Sequence, residues 1–178
     1  GTTVLPYLPL QTRLPGEDRA EVELDYMRET DYAAGHKLLN LVIDEGLSWP
    51  FEDAMDLQAH ASGGGSGEVL GAFYIKPNFP GRCSHICNGG FITAPHARRR
   101  GVGFVMGFCF LRLARDLGYR ASYFNLVFRS NEASVALWRR LGFTELAVVP
   151  RAARLKGIPG LVDAIQFHYN LEELDGEE

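Results

Sequence analysis

Apolar and polar positions recur along the chain in two rhythms, one of period two and one of period 3.6. Glu21 to Arg28 alternates weakly and predicts a first strand. Thr30 or Asp31 can cap a helix through His36-Lys37-Leu38-Leu39-Asn40-Leu41-Val42-Ile43, with a stop near Gly46. Trp49-Pro50-Phe51 breaks that run, and Glu52 to Gln58 predicts a second, short helix. Glu68 to Lys76 reads as a strand ended by Pro77, residues 79–83 as a turn, and Ser84 to Thr93 as the next strand. From Gly101 to Asp116, Val102, Val105, Phe108, Cys109, Leu111 and Leu113 form a broad apolar stripe, and Gly118 ends the helix. A strand over Tyr119 to Phe128, a helix over Asn131 to Leu141 with Gly142 as its stop, and strands at Phe143 to Val149 and Leu161 to Tyr169 complete the pattern.

No internal repeat appears, and the order of elements predicts an α/β domain, α+β-like in its mixed strand directions. Residues 1–20, rich in Pro and Leu without period, are expected to form an extended arm. Ser62 to Gly67 reads as a flexible loop inside the domain. Residues 172–178 read as a disordered acidic tail, which leaves 21–171 as one domain.

Composition narrows the partners. The chain has 178 residues, 46% hydrophobic and 22% charged, as expected for one ordinary globular domain. A formal net charge of −4 argues against a general nucleic-acid binder, and no apolar run is long enough to span a bilayer. The first residues lack the basic and apolar regions of a secretory signal. Three cysteines make no disulfide framework, so a reducing compartment is expected. The cytoplasm is the simplest choice, and the mitochondrion stays open because Gly1 in place of Met leaves room for a lost leader.

The chemistry concentrates in Arg98-Arg99-Arg100-Gly101-Val102-Gly103, between a strand and a helix. Free N–H groups at a helix start, glycines that allow close approach, and guanidinium groups suit a pyrophosphate. The glycines at 101, 103 and 107 do not fit G-x-G-x-x-G, and the Lys-Ser/Thr of a P-loop is missing. Gly89-Gly90 inside a strand points to a bulge or a close ligand. Cys83, His85 and Cys87 would share a face of a strand, but a fourth zinc ligand is not apparent. Packed thiols and a hydrogen-bonded histidine are the preferred reading, with no metal.

These residues carry a resemblance. Arg98-x-x-Gly101-x-Gly103, then Asn131-x-x-Ser134-x-x-Leu137-Trp138 and Leu141-Gly142-Phe143, resemble the acetyl-CoA motifs of the GNAT N-acetyltransferase superfamily. Gly71 to Asn78, Gly81 to His85, Cys87 to Phe91 and Phe124 to Phe128 more narrowly resemble the fungal proline-analogue (azetidine-2-carboxylate) N-acetyltransferases. The resemblance implies a central mixed, mostly antiparallel sheet, splayed between two strands and flanked by helices. Residues 57–68 leave little room for that fold's usual second strand.

The resemblance also implies acetyl-CoA as cofactor, a small imino acid as acceptor, a detoxifying role and a homodimer. Phe91, Ile92 and Thr93 would present backbone groups to the pantetheine arm. Arg98, Arg99, Arg100, Gly101, Val102 and Gly103 would hold the pyrophosphate, and Asn131 would contact the cofactor near the pantetheine. Asn88 would lie by the reacting nitrogen; Asn125 and Leu126 would bind the substrate carboxylate through side chain and backbone. Many superfamily members have Tyr where Trp138 stands, so the usual acid for the leaving thiolate is missing. His85 and His96 are the titratable candidates for proton handling. A polyamine or peptide acceptor, and a non-catalytic acetyl-CoA sensor, are the competing readings.

Overall fold

A computed structural model describes residues 5–15, 19–49 and 68–174, and the backbone of 61–62. The short helix expected at 52–58, most of the connector and the last four residues of the acidic tail lie outside the described residues.

The segment read as an arm is extended, but it is built into the domain. Leu10–Arg13 (β1) pairs antiparallel with Glu21–Leu24 (β2), while Leu5 and Leu14 are buried in the main core. Tyr32–Glu45 (α1) follows, ended by Gly46 in the left-handed region at φ 67°. Asp31 precedes it without capping it; its carboxylate accepts from the Arg28 N–H instead.

The central sheet has six strands in the order β3-β4-β5-β6-β8-β7. They are Ala61–Ser62 (β3), Gly71–Pro77 (β4), Ile86–Thr93 (β5), Ala121–Phe128 (β6), Thr144–Ala153 (β7) and Val162–Asn170 (β8). The usual second strand is therefore present in miniature, as two residues of β3 on β4. Every pairing is antiparallel except β5 with β6. Val102–Asp116 (α2) links these parallel neighbours, and Glu132–Arg140 (α3) links β6 to β7.

Period two divides the β4–β5 pair into two faces. Phe73, opposite Phe91, packs on Phe110 of α2, with ring centroids 6.2 and 5.1 Å from it. Ala72 and Ile92 point the other way, toward α1, and both are buried. α2 buries Val102, Met106, Cys109, Phe110 and Leu113, spaced by whole turns, so Phe108 of the expected stripe stands outside, 47% exposed.

The glycine pair creates no bulge. The β4–β5 register runs unbroken from Gly71↔Thr93 to Pro77↔Cys87. Gly89 is required by packing: a Cβ there would lie 2.5 Å from Phe110 Cε2 and 2.9 Å from the Tyr74 carbonyl. Gly90 leaves room on the opposite face for Trp49 and Tyr74, whose rings would come within 2.4 and 2.5 Å of an added Cβ. Gly89→Ala is therefore an overpacking change, expected to lose about 1–3 kcal/mol of stability in urea denaturation. A loss below about 0.5 kcal/mol, the scale of an innocuous surface change, would contradict the fitted contact with Phe110.

Candidate active site

Strands β5 and β6 pair only at Ile86↔Ala121 and Cys87↔Ser122, then part. Aromatic rings occupy the widening. Trp138 of α3 lies 4.8 Å from Phe91 of β5 and 4.7 Å from Phe124 of β6, and Phe110 backs both strands at 5.1 and 5.7 Å. Beyond Cys87 the inner edge of β5, including Phe91, Ile92 and Thr93, faces no strand among the described residues. A linear ligand carrying amides can complete that edge as a strand would.

Because β5 and β6 are parallel, their carboxyl ends lie on one side of the sheet, where ligands of parallel strands gather. β5 runs through a 3-10 turn, Pro95–Ala97, and Arg98 to Gly101 into α2; β6 leads to Asn131, the N-cap of α3. The loop before α2 is a concave nest of amides. Arg99 and Gly101 are left-handed, at φ 63° and 86°, and Arg99 bears roughly 1–2 kcal/mol of backbone strain there. Gly101 is obligatory, since a Cβ would also strike Pro15 Cγ at 2.6 Å. The first bond of α2 is Val105 N–H to the Gly101 carbonyl at 3.1 Å. Among the described residues, the N–H groups of Val102, Gly103 and Phe104 have no backbone acceptor, which suits a phosphate.

Arg99 and Arg100 are exposed beside this nest, and Arg140 reaches the same end, its guanidinium carbon 4.4 Å from the Phe104 ring centre. Arg98 differs: its Nη2 donates to both carboxylate oxygens of Glu45, at 2.8 and 3.0 Å. Its guanidinium ties the loop to the end of α1. Asn131 Oδ1 accepts from Ser134 N–H at 3.1 Å, so the amide caps α3 and keeps its Nδ2 as a donor.

Asn88 and Asn125 lie farther along the sheet, on the face of β4–β5 away from α2. Asn88 sits opposite Lys76 on β5, half-buried, and its Oδ1 accepts from Gly89 N–H at 2.7 Å. Asn125 and Leu126 stand where the β6–β8 register shifts between Phe124 and Val127. The irregularity sought at Gly89-Gly90 is here. A bulge leaves its extra residue outside the ladder and re-aims side chains, so it presents Leu126, 44% exposed, and turns Asn125 toward β4. Asn125 exchanges two hydrogen bonds with Asn78. Tyr123 packs on Phe79 at 5.9 Å, and Lys76 lies 5.1 Å over the Tyr74 ring. Asn78, Tyr74, Lys76 and Glu45 were not singled out from sequence; strand register alone could have put Lys76 beside Asn88.

Trp138 is 3% exposed, and its indole N–H donates to Ser134 Oγ at 3.0 Å. It offers the gap no proton. His96 pairs with Glu68 at 3.1 Å on the surface, and His85 is exposed, its carbonyl taking the Arg120 N–H. The cysteine alternation fails because Cys83 lies in a 3-10 turn and is exposed, whereas Cys87 is wholly buried. Among the described residues no three His, Cys, Asp or Glu side chains could hold a metal ion, and no helix is long and apolar enough to cross a membrane.

A gap between parallel strands, with amide donors and arginines at one end, suits a long anionic carrier whose amides complete the open strand edge. The chain belongs to the Acetyltransferase (GNAT) family, whose model matches residues 43–143. That family transfers acetyl from acetyl-CoA to nitrogen, and the loop and strand edge fit its carrier. N-acetyltransferase aca1 of Schizosaccharomyces pombe is 50% identical over 107 residues, 60% of this chain and 51% of that protein. Protein SPT10 of Saccharomyces cerevisiae is 30% identical over 100 residues, 56% of this chain and 16% of that protein. The chain thus spans about half the length of the first relative and far less of the second. A GCN5-related N-acetyltransferase from Kribbella flavida superposes with a TM-score of 0.76 at 25% identity, covering 84% of this chain and 97% of that one. The yncA protein of Salmonella typhimurium, solved with its cofactor acetyl-CoA, gives 0.76 at 16% identity over 89% and 99% and shares the fold.

Burial pushes the Cys87 thiol up to about 12 and the Cys109 thiol up to about 11. With a raised value the protonated form persists as pH rises, so at pH 8 the Cys87 thiol stays protonated. Iodoacetamide at pH 8 is expected to label the native protein only at Cys83, and all three cysteines after unfolding. Labelling of native Cys87 as fast as Cys83 would refute the buried, protonated thiol.

Proposed function

We propose that the protein moves acetyl from acetyl-CoA directly to the secondary amine of a small cyclic imino acid, such as azetidine-2-carboxylate, cis-4-hydroxyproline or a similar proline analogue. The observation that carries the reading is the neutral amide face of Asn88 and Asn125 with Lys76 beside it. The sequence likeness around 71–91 and 124–128 points the same way. Of Tyr74, Lys76, Asn78, Ile86, Asn88, Tyr123 and Asn125, only Lys76 is charged at neutral pH, and its sign favours a carboxylate over a polyamine.

Bound acetyl-CoA would supply an activated thioester carbonyl. In this reading the nest from Arg98 to Gly103 holds the pyrophosphate, Arg98 through its backbone, with Arg99 and Arg100 adding charge. Phe91, Ile92 and Thr93 offer backbone groups along the gap, and the free Nδ2 of Asn131 reaches the carrier near its pantetheine. Asn88 is not a base, since an amide has no useful basicity. With one lone pair of Oδ1 engaged by Gly89 N–H, its Nδ2 is the group to donate to the developing oxyanion, and the other Oδ1 lone pair can accept from the amine N–H. Asn125 binds the carboxylate through its side chain and Leu126 through its backbone, without burying a second charge. The protonated thiols support direct transfer over a cysteine acyl-enzyme.

A single domain, 21–171 together with the β1 segment packed into its core, detoxification in a reducing compartment and a homodimer belong to the same reading. The free cysteines suit that compartment, and the outer strand β7, with Leu146 and Val148 exposed, offers a surface for a second copy. One observation favours a second reading, a non-catalytic acetyl-CoA sensor: the residue between the splayed strands is the buried Trp138, without an acid.

The test is CoA release with azetidine-2-carboxylate, cis-4-hydroxyproline, proline, spermidine and a lysine peptide. Turnover confined to the cyclic imino acids is expected. Asn88→Ala should lower kcat about a hundredfold, as for loss of an oxyanion donor. Asn125→Ala should raise the acceptor KM about tenfold, as for loss of a hydrogen bond to a charged group. Full turnover by Asn88→Ala would remove that residue from the reaction. Acetyl-CoA binding without turnover of any amine would establish the sensor.

A further inference from the structure

Asn78 joins the end of β4 to β6 on the proposed acceptor face by side-chain hydrogen bonds. It follows β4 directly, and its N–H donates to the Ile86 carbonyl at 2.8 Å, which extends the β4–β5 ladder by one step. Alternation then puts Asn78 on the face of Tyr74 and Lys76, and Asn88 stands opposite Lys76 on that same face. Asn78 and Asn88 are diagonal neighbours across the pair, a relation with Cβ atoms roughly 7–8 Å apart or less. From this place Asn78 Nδ2 donates to Asn125 Oδ1 at 3.1 Å, and Asn125 Nδ2 donates back to Asn78 Oδ1 at 2.6 Å.

We propose that Asn78 is a specificity-determining residue of the acceptor site: with Asn125 it forms a paired-amide grip that opens to take the carboxylate of an α-imino acid. The inference rests on the acceptor class proposed above and adds the second half of its recognition site.

Two features of the pair fit that ligand and not the alternatives. While empty, the two amides satisfy each other's oxygen and one N–H apiece in a closed ring, so the pair puts no charge on the half-buried face. An ionised carboxylate only accepts hydrogen bonds, whereas each amide has two N–H donors. When a carboxylate enters, each amide turns one N–H to a carboxylate oxygen. Two neutral hydrogen bonds are then exchanged for two charge-assisted ones, which are about twice as strong. Lys76, on the same face, adds attraction for the anion.

Spacing supplies the second argument. In an α-imino acid the nitrogen and the carboxylate are attached to one carbon. The group that grips the carboxylate must therefore lie on the same face as the group that meets the nitrogen and close to it. As diagonal neighbours on one face, Asn78 and Asn88 meet that requirement. An amine at the end of a lysine side chain stands several carbons from its own carboxylate and cannot use both sites at once.

The experiment compares azetidine-2-carboxylate with its methyl ester, which keeps the ring nitrogen and loses the charge. Steady-state kinetics would be measured on the wild type, Asn78→Asp and Asn78→Ala, with acetyl-CoA varied separately. Asn78→Asp keeps the shape but sets a carboxylate against a carboxylate. It should raise KM for the acid by about tenfold or more, the scale of a lost hydrogen bond to a charged group. KM for the ester and for acetyl-CoA should stay within twofold. Asn78→Ala should shift the acid-to-ester ratio in the same direction by a smaller factor, and it carries the test if the Asp variant does not fold. Equal effects on acid and ester, or none on either, would overturn the grip and leave the imino-acid assignment intact. Failure of the wild type to turn over any α-carboxylated cyclic amine would overturn that assignment and the grip with it.

Discussion

The structure depends on a ladder that stops early. Parallel strands normally pair along their length, yet β5 and β6 hold for two residue pairs and then diverge around Phe91, Trp138 and Phe124. Unpaired strand edges are costly unless something completes them. Aromatic packing maintains the divergence: Trp138 is buried with its one polar atom satisfied by Ser134, and Phe143 stacks on Phe124 at 4.9 Å. Phe110 wedges the strands from below, which is why the Gly89 position cannot carry a side chain. The opening is thus a product of the core. Both strands keep their direction as they part, so both deliver a helix N-terminus to the same end.

That arrangement separates the electrostatics of the site. The end proposed for the carrier is cationic and rich in backbone donors, with Arg99, Arg100 and Arg140 exposed around it. The end proposed for the acceptor is nearly neutral, with amides paired to amides or to backbone. Glu45 keeps Arg98 from being one more loose cation and binds the cofactor loop to the end of α1. Lys156 takes hold of the same helix end from the β7–β8 loop, its ammonium on the Asp44 carbonyl at 2.7 Å and its N–H on the Gly46 carbonyl at 3.0 Å. Trp49 follows that end and covers Gly90, so α1 carries one wall of the acceptor face while anchored to the carrier loop.

Much of this was legible in the sequence, and the physical reasons are specific. Period and stop residues found α1, α2 and α3 and five of the six strands of the central sheet to within a few residues, β3 at 61–62 being the one missed, and glycine ends such as Gly46, Gly118 and Gly142 do lie at positive φ. The nest was legible because Arg99 to Gly103 are contiguous, and local composition encodes local conformation. The acceptor face was only half legible. Asn88 and Asn125 were proposed by resemblance, but their partners depend on register, and no local pattern announces that Asn78 meets a residue 47 positions away. The bulge was expected at the glycines and lies on β6, in Phe124-Asn125-Leu126-Val127, whose residues give no sign of it. Glycine marked close approach by Phe110 and Trp49 instead, a tertiary fact.

Trp138 shows how the fold constrains the chemistry. The side chain that fills the gap cannot also serve it, because its indole N–H is spent on Ser134 and it has no acidic group at neutral pH. Transfer from a thioester to a neutral amine removes one proton from nitrogen and returns one to sulfur, so no net proton enters or leaves. A site of this stoichiometry needs a path more than it needs a base. Amides suit that arrangement: they donate and accept without titrating, and they hold amine, oxyanion and carboxylate in fixed relation at any pH the fold survives. In the proposed reaction the pH dependence then belongs to the acceptor, which must shed its own proton before it can attack. In the proposed reaction the amide-lined face and the missing hydroxyl at 138 express one design, in which orientation by neutral groups does the work that a tuned acid and base do elsewhere.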